Sequence, residues 1–224
     1  MSGAKPDPLA SRVLAVFASP GTLFESFRQR APWVGPLVIS TIVVMLAMAT
    51  MPQEVFLAQA ESAVDRRGDP VTITSEPADI ATYGRLMAVL GVAVANPTAA
   101  FAVAGILTLV FSLLGGGPAT YRQFLAATTH SLLIVSLGTL IGIVMQLAGL
   151  PGSSIALLLL EPLLGPGSTV AAILQNLNFF LLWMILVLGL AVSKLDDRRS
   201  WPVAASVIFG LYLVFALATS SVTG

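Results

Sequence analysis

Long apolar runs, separated by short polar segments, are the main pattern along the chain. A helix that crosses a membrane needs about 17–25 mostly apolar residues, and five segments come near that length without a charged side chain inside them. The five predicted membrane helices cover residues 34–51, 98–114, 124–147, 170–192 and 203–220. The pattern therefore predicts an all-α fold, a polytopic helical membrane bundle with five transmembrane helices plus short amphipathic interfacial helices.

Two apolar runs do not have the length of one plain crossing. Residues 83–114 would form a helix of roughly 48 Å, against a hydrocarbon core of about 30 Å, and Asn96-Pro97 interrupts them. We expect the crossing at residues 98–114, preceded by a helix on the outer surface; a single tilted, kinked helix is the alternative. Residues 155–164 would span only about 15 Å, so we expect an interfacial or partly re-entrant helix there.

The first 33 residues are amphipathic. Leu9 and Val16 belong to an apolar stripe with helical spacing, and Thr22 with Glu25 has the spacing of a capping box. This pattern predicts two short helices that lie on the membrane, with a partly ordered tail as the alternative. A secretory signal is not expected, because the first long apolar run starts only after this segment.

The chain thus divides into a cytosolic amphipathic segment, residues 1–33, and a five-helix membrane domain, residues 34–224. An extracytoplasmic insert is expected at about residues 52–83, the only long polar stretch. Eight Lys and Arg residues fall on one side of the predicted bundle and three on the other. Since cytoplasmic loops carry the excess of basic residues, the N-terminus is predicted to be cytoplasmic and the C-terminus external.

A predicted hairpin tip, residues 115–124 with the sequence GGGPATYRQF, joins the second and third helices. Three glycines and a proline cannot continue a helix, so the preceding helix should end at Leu114. Thr120 and Gln123 have capping-box spacing, which predicts the start of the next helix. An aromatic ring and a cation there suit the boundary between headgroups and water. The residues of this hairpin motif are Gly115, Gly116, Gly117, Tyr121 and Arg122.

Composition narrows the chemistry. Of the 224 residues, 56% are hydrophobic and only 10% are charged, whereas a soluble domain has about 25% charged residues. A formal net charge of zero gives no case for nucleic acid, and the lack of cysteine excludes thiolate nucleophiles and thiolate metal sites. No nucleophile, phosphate-binding or metalloprotease motif is present. We therefore expect no enzyme activity, no catalytic residues, no cofactor and no metal, and we interpret Asp196-Asp197 as a solvated charged loop.

Polar side chains inside the predicted membrane helices are few. His130 lies about ten residues into the third helix, roughly 15 Å deep, and amides early in the fourth helix, which enters from the other side, should reach a similar depth. We expect His130 to bond Asn176 or Asn178, and we favour a packing role over a substrate site. The candidate midplane polar cluster is His130, Gln175, Asn176 and Asn178.

Gly138 and Gly142 form a G-x-x-x-G pattern in the third helix. Small residues at this spacing allow close approach of another helix. We favour packing within the bundle, and a seam between two copies of the chain is the alternative.

Three segments resemble the Yip domain family, five-span membrane proteins first known as interactors of Rab GTPases. They are SPGTLFESFRQRAPWVGP at Ser19–Pro36, GGGPATYRQFLAATTHS at Gly115–Ser131, and the polar, Trp-bearing stretch Asn178–Trp183. One departure concerns Thr129-His130-Ser131, which is not followed by the proline that many members carry. The short N-terminal segment is similar to that of prokaryotic-type members, which implies the bacterial cytoplasmic (inner) membrane.

The resemblance implies a non-enzymatic membrane protein with a cytosolic N-terminus. Because some bacterial relatives work beside ABC-type exporters, it also implies a scaffold or accessory protein that organises membrane partners, with membrane lipids and such an exporter as expected partners. The alternative function is permeation or lipid handling along a polar path past His130 and Asn176. A continuous cavity would favour the alternative and a filled core the scaffold.

Overall fold

A computed structural model describes residues 8–67, 76–148 and 177–223. Eight α-helices account for most of these ranges, and no strand occurs within them. The helices are α1 (Leu9–Ala18), α2 (Pro20–Ser26), α3 (Val34–Ala49), α4 (Gln53–Arg67), α5 (Pro77–Leu107), α6 (Tyr121–Leu147), α7 (Phe179–Leu195) and α8 (Trp201–Thr223). A π-helix, Thr108–Leu114, extends α5 to the hairpin tip.

The helices form one bundle whose apolar core involves most of them. α6 packs against α3, α5 and α7, and α8 packs against α7. Three described helices are long and apolar enough to cross a membrane: Ala78–Leu114, Tyr121–Leu147 and Trp201–Ala218. α3 and α7 are apolar helices of 16 and 17 residues. The prediction of an all-α membrane bundle is confirmed.

The predicted break at Asn96-Pro97 is wrong. Of the alternative, a single tilted, kinked helix, the structure shows the single helix. Pro97 lies inside α5, which continues without interruption. The Asn96 side chain donates to Ser40 Oγ at 3.2 Å and to Thr41 Oγ1 at 2.8 Å, which ties this point of α5 to α3. A proline is tolerated inside a membrane helix when neighbouring groups satisfy the local polar atoms. The helix before Pro97 is therefore part of the crossing element rather than a separate surface helix.

Two short helices form at the N-terminus as predicted, but they pack into the bundle. Val16, Phe24 and Phe27 have at most 1% of their surface exposed and belong to the common core. The predicted capping box of Thr22 and Glu25 is wrong, because α2 begins two residues earlier, at Pro20. The first helical position favours proline, because the fixed backbone angle of proline suits the helix and the N–H that proline lacks is not needed there.

The later helices follow the prediction with shifts at their ends. The fifth predicted helix matches α8, whereas the fourth, predicted to start at residue 170, begins at Phe179 in the described part of the chain. Residues 149–176, which include the predicted interfacial helix and both Gln175 and Asn176, lie outside the described residues. Of the predicted insert, α4 and the start of α5 are described, and they pack together around the buried side chain of Phe56.

Candidate functional site

Charged side chains and glycine backbone groups at one end of the bundle join three segments that are far apart in sequence. We call this group the polar cap. It comprises Glu25, Arg28, Gly115, Gly116, Gly117, Lys194, Asp196, Asp197, Arg198 and Arg199.

The tip of the hairpin needs glycine for two separate reasons. Gly116 has φ of 63°, in the left-handed region that side chains with a Cβ resist. A Cβ on Gly117 would lie 2.5 Å from the carbonyl oxygen of Phe111, which accepts a hydrogen bond from the Gly117 N–H at 3.0 Å. The tip therefore folds back on the end of the π-helix, and its shape depends on the absence of side chains.

Asp196 organises the contact between the tip and the α7–α8 loop. Its side chain is 3% exposed and accepts from Arg198 Nε at 2.9 Å and Arg199 Nε at 3.3 Å. The same arginines donate to the carbonyl oxygens of Gly116 at 2.7 Å and Gly115 at 2.9 Å. The hydrogen bonds from Arg198 hold the pKa of Asp196 below its ordinary value, despite the opposing effect of burial. The carboxylate thus stays charged and orients two cations toward the tip.

The interpretation of Asp196-Asp197 as a solvated loop is wrong for Asp196 and correct for Asp197, whose side chain is 79% exposed. The difference arises because Asp196 ends α7 and turns inward, beneath both arginines, whereas Asp197 points outward. Neighbouring identical residues therefore have different roles in the cap.

Helix α2 and the residues just after it are attached to the end of α7 and the α7–α8 loop by two ion pairs. The Arg28 guanidinium binds both carboxylate oxygens of Asp197 and donates through Nε to the carbonyl oxygen of Lys194 at 2.6 Å. Lys194 Nζ lies 2.6 Å from Glu25 Oε1. The hydrogen bonds from Arg28 lower the pKa of Asp197. Both pairs are substantially exposed, so they fix the position of α2 more than they stabilise the fold.

Gln123 connects the hairpin tip to the N-terminal segment. The predicted capping box is confirmed: the Thr120 hydroxyl accepts from the Gln123 N–H, and Gln123 Oε1 accepts from the Thr120 N–H at 2.7 Å. The remaining group of this side chain, Nε2, donates to the carbonyl oxygen of Phe27 at 3.1 Å. Arg122 Nε donates to the Ala31 carbonyl oxygen at 3.3 Å. The first turn of α6 therefore holds the N-terminal segment against the bundle.

His130 is fully buried in α6, but it does not bond Asn178. Its Nδ1 lies 2.8 Å from the Ala126 carbonyl oxygen, and its ring packs against Phe27 with centroids 4.9 Å apart. Because a carbonyl only accepts, Nδ1 carries the proton and Nε2 is an acceptor, for which no partner exists among the described residues. The structure places His130 beside the N-terminal segment.

Asn178 lies at the other end of the bundle. Its Oδ1 accepts from the Leu181 N–H at 2.9 Å and caps the start of α7. The neighbouring Phe180 packs on Gly138, which is eight residues, or about 12 Å, further along α6 than His130. The prediction that His130 and Asn178 share a depth is wrong, because α7 starts only at residue 179 in the described chain. The other two members of that predicted cluster, Gln175 and Asn176, lie outside the described residues.

Gly138 packs within the bundle, as we favoured. A Cβ at this position would lie 2.5 Å from the Phe180 ring, so this face of α6 is occupied by the same chain. Gly142 lines a cavity of about 440 Å³ together with Asn178 and Thr139, and His130 is not among its lining residues. Within the described ranges no three side chains of the types His, Cys, Asp and Glu come together.

Comparison with known proteins identifies the family of the chain. The model of the Yip1 domain matches residues 14–219, from within α1 to within α8. The chain belongs to the Yip1 domain family. It is similar to the membrane protein YknW of Bacillus subtilis (strain 168), with 22% identity over 208 residues that cover 92% of this chain and 88% of the relative. No solved structure matches the chain.

Membership of the Yip1 domain family and the apolar helices make this chain an integral membrane protein. The family segments Ser19–Pro36 and Gly115–Ser131 meet in the structure through Gln123 and Arg122. The sequence reasoning identified both segments but missed that they touch and that the 194–199 loop joins them. The available signal was the LDDRR sequence, whose opposite charges suit ion pairs with partners that a single sequence does not reveal.

Proposed function

We propose that this Yip1 domain protein is a non-enzymatic scaffold or accessory subunit in the bacterial cytoplasmic membrane, and that it organises another membrane protein such as an ABC-type exporter. The polar cap supports this proposal. Its charged side chains are directed at one another and at backbone carbonyls, as in Asp196 with Arg198 and Arg199. Such an arrangement builds a surface of fixed shape, which supports a scaffold role.

The proposed orientation has the polar cap in the cytoplasm and the C-terminus outside. The excess of Lys and Arg at the cap end supports it. A topology reporter fused after Gly224 should read external, and one inserted near Asp197 should read cytoplasmic. A cytoplasmic reading after Gly224 would contradict the orientation.

The function is tested by cross-linking from the cap. A photoreactive residue replaces Pro118, which is exposed at the tip, and a matched control replaces Val214, which is exposed on α8. We expect the Pro118 position to give one defined membrane-protein adduct in native membranes, and the Val214 position to give none of that adduct. Asp196→Asn in the same background should reduce the adduct, because the tip loses its fixed position.

Permeation or lipid handling would give a different result. That function needs an open path past His130, whose side chain is 0% exposed and packs against Phe27. Adducts to lipid alone at both positions, together with solute flux into proteoliposomes of the purified protein, would overturn the scaffold in favour of permeation.

A further inference from the structure

We infer that an edge of the bundle next to the polar cap carries a binding site for the phosphate of an anionic phospholipid. We call it the interfacial patch. It comprises Arg30, Trp33, Phe101, Tyr121 and Arg122. This site goes beyond the scaffold function and does not depend on it.

Arg30 and Arg122 differ from the four cations of the polar cap. Arg28, Lys194, Arg198 and Arg199 each pair with a carboxylate of the polar cap. Within residues 8–67, 76–148 and 177–223, neither arginine of the patch has a carboxylate within 4.0 Å, and both residues are exposed. Their charge is therefore available to an anion that is not part of the described chain.

A hydrogen bond fixes the Arg122 guanidinium at the backbone next to Arg30. Arg122 Nε donates to the carbonyl oxygen of Ala31, the residue directly after Arg30. This bond uses one N–H of the guanidinium, which has five. The other N–H groups of Arg122 provide donors in the planar geometry that matches phosphate oxygens, and Arg30 adds a second exposed cation one residue away from the bonded carbonyl.

Aromatic residues flank the two cations in sequence, because Trp33 follows Arg30 by three positions and Tyr121 directly precedes Arg122. Trp33 packs edge-on against Phe101 with ring centroids 5.7 Å apart, and the Tyr121 hydroxyl donates to the Phe101 carbonyl oxygen at 3.3 Å. Phe101 and Tyr121 are 40% and 41% exposed. Trp and Tyr are enriched at the level of lipid headgroups, so the patch combines an apolar wall for an acyl chain with a cationic end for a phosphate.

This combination favours a lipid over a soluble anion. A free phosphate ion would gain from the arginines but nothing from Phe101 or Trp33. An anionic phospholipid would contact both parts, and surface attraction of anionic lipids is worth about fivefold in affinity per basic residue near the membrane.

The experiment measures lipid binding to the full-length protein in neutral detergent by native mass spectrometry, with phosphatidylglycerol and phosphatidylcholine as probes. We expect tighter binding of phosphatidylglycerol to the unmodified protein. Arg30→Gln and Arg122→Gln should each weaken that binding about fivefold, and the double variant about twenty-fivefold. The matched control is Arg66→Gln, which removes the same charge from α4, at the opposite end of α3, and should change nothing.

Two additional arms separate the site from indirect effects. Arg122→Lys keeps the charge but removes the planar donors and the Nε bond to Ala31, so it should bind phosphatidylglycerol more weakly than the unmodified protein and more tightly than Arg122→Gln. Inorganic phosphate should not displace the lipid. The proposal is overturned if Arg30→Gln and Arg122→Gln bind phosphatidylglycerol as the unmodified protein does, if Arg66→Gln weakens binding equally, or if inorganic phosphate displaces the lipid.

Discussion

The polar cap and the polar residues 128–131 inside α6 differ in how their hydrogen-bonding groups are satisfied. In the cap, Asp196, Arg198 and Arg199 bond each other and carbonyls more than 80 positions away in sequence. In α6, His130 bonds only the carbonyl four residues before it, and Thr128, His130 and Ser131 each retain a buried polar atom with no partner among the described residues. The cap therefore specifies which segments meet, whereas Thr128, His130 and Ser131 form no side-chain bond to another helix within the described ranges.

The largest expected effect comes from breaking the tip itself. Gly117→Leu should lower stability by about 3 kcal/mol, because a Cβ would lie 2.5 Å from the Phe111 carbonyl oxygen, a backbone atom that cannot move aside cheaply. The measurement is the midpoint of unfolding in mild detergent. The control Gly116→Asn keeps a residue that tolerates positive φ and meets no atom within 4 Å. Equal losses for both variants would contradict the backbone clash as the cause.

A smaller effect is expected from removing the charge that organises the cap. Asp196→Asn should cost about 2 kcal/mol, since it weakens charge-assisted hydrogen bonds to a buried carboxylate. Asp197→Asn removes the same charge at an exposed site and should cost clearly less. Unfolding midpoints of the two variants test the contrast between these neighbours, and an equal shift would mean that burial of Asp196 does not matter.

In the interior, truncation of His130 should cost more than its replacement by an apolar side chain of similar size. His130→Ala is expected to lose about 2 kcal/mol, because it leaves a cavity beside Phe27. His130→Leu should lose less, because Leu fills the space and removes an acceptor that has no partner among the described residues. Combination with Asn178→Ala should be additive, since the two sites are roughly 12 Å apart along the bundle. A non-additive loss in thermal unfolding would restore a link between these two side chains.

Between about pH 5 and 8, the titration of the cap carboxylates should have the smallest effect on the stability of the fold. Hydrogen bonds from arginine lower the pKa of both Asp196 and Asp197, so the unfolded chain binds protons more readily than the folded protein. The stabilisation is therefore complete above the unfolded pKa of about 3.9 and is lost as pH falls through the lower folded values. Unfolding midpoints should be flat from pH 8 to about 5 and should fall below about pH 4. Asp196→Asn should flatten that decrease, and an unchanged decrease would assign it to other carboxylates.

Features that depend on neighbours in sequence were predictable. The end of the helix at Leu114 and the capping box of Thr120 and Gln123 follow from local backbone chemistry. Helix existence along the apolar runs was equally clear, because each run is long and uniform. Family membership was also predictable, since its segments are continuous in the chain.

Features that depend on distant partners were not predictable. Pro97 was expected to break α5, but its helix continues where Asn96 finds hydroxyl partners on α3. Asp196 looked like its exposed neighbour until the fold placed it beneath Arg198 and Arg199. The depth of Asn178 relative to His130 required the true start of α7, which Asn178 itself marks as an N-cap residue, a local signal that the sequence reasoning did not use.

The π-helix that leads into the hairpin tip affects how the chain length can vary. Its i→i+5 bonding over seven residues places more residues in each turn than an α-helix does. A deletion of one residue between Thr108 and Leu114 can therefore be absorbed by a return to α-helical bonding, with the tip still in contact with Arg198 and Arg199. Deletions within Gly115–Gly117 have no such reserve, because that segment is fixed by backbone contacts on both sides. Natural length differences among homologues should accordingly fall within the π-helix and not within the glycine tip.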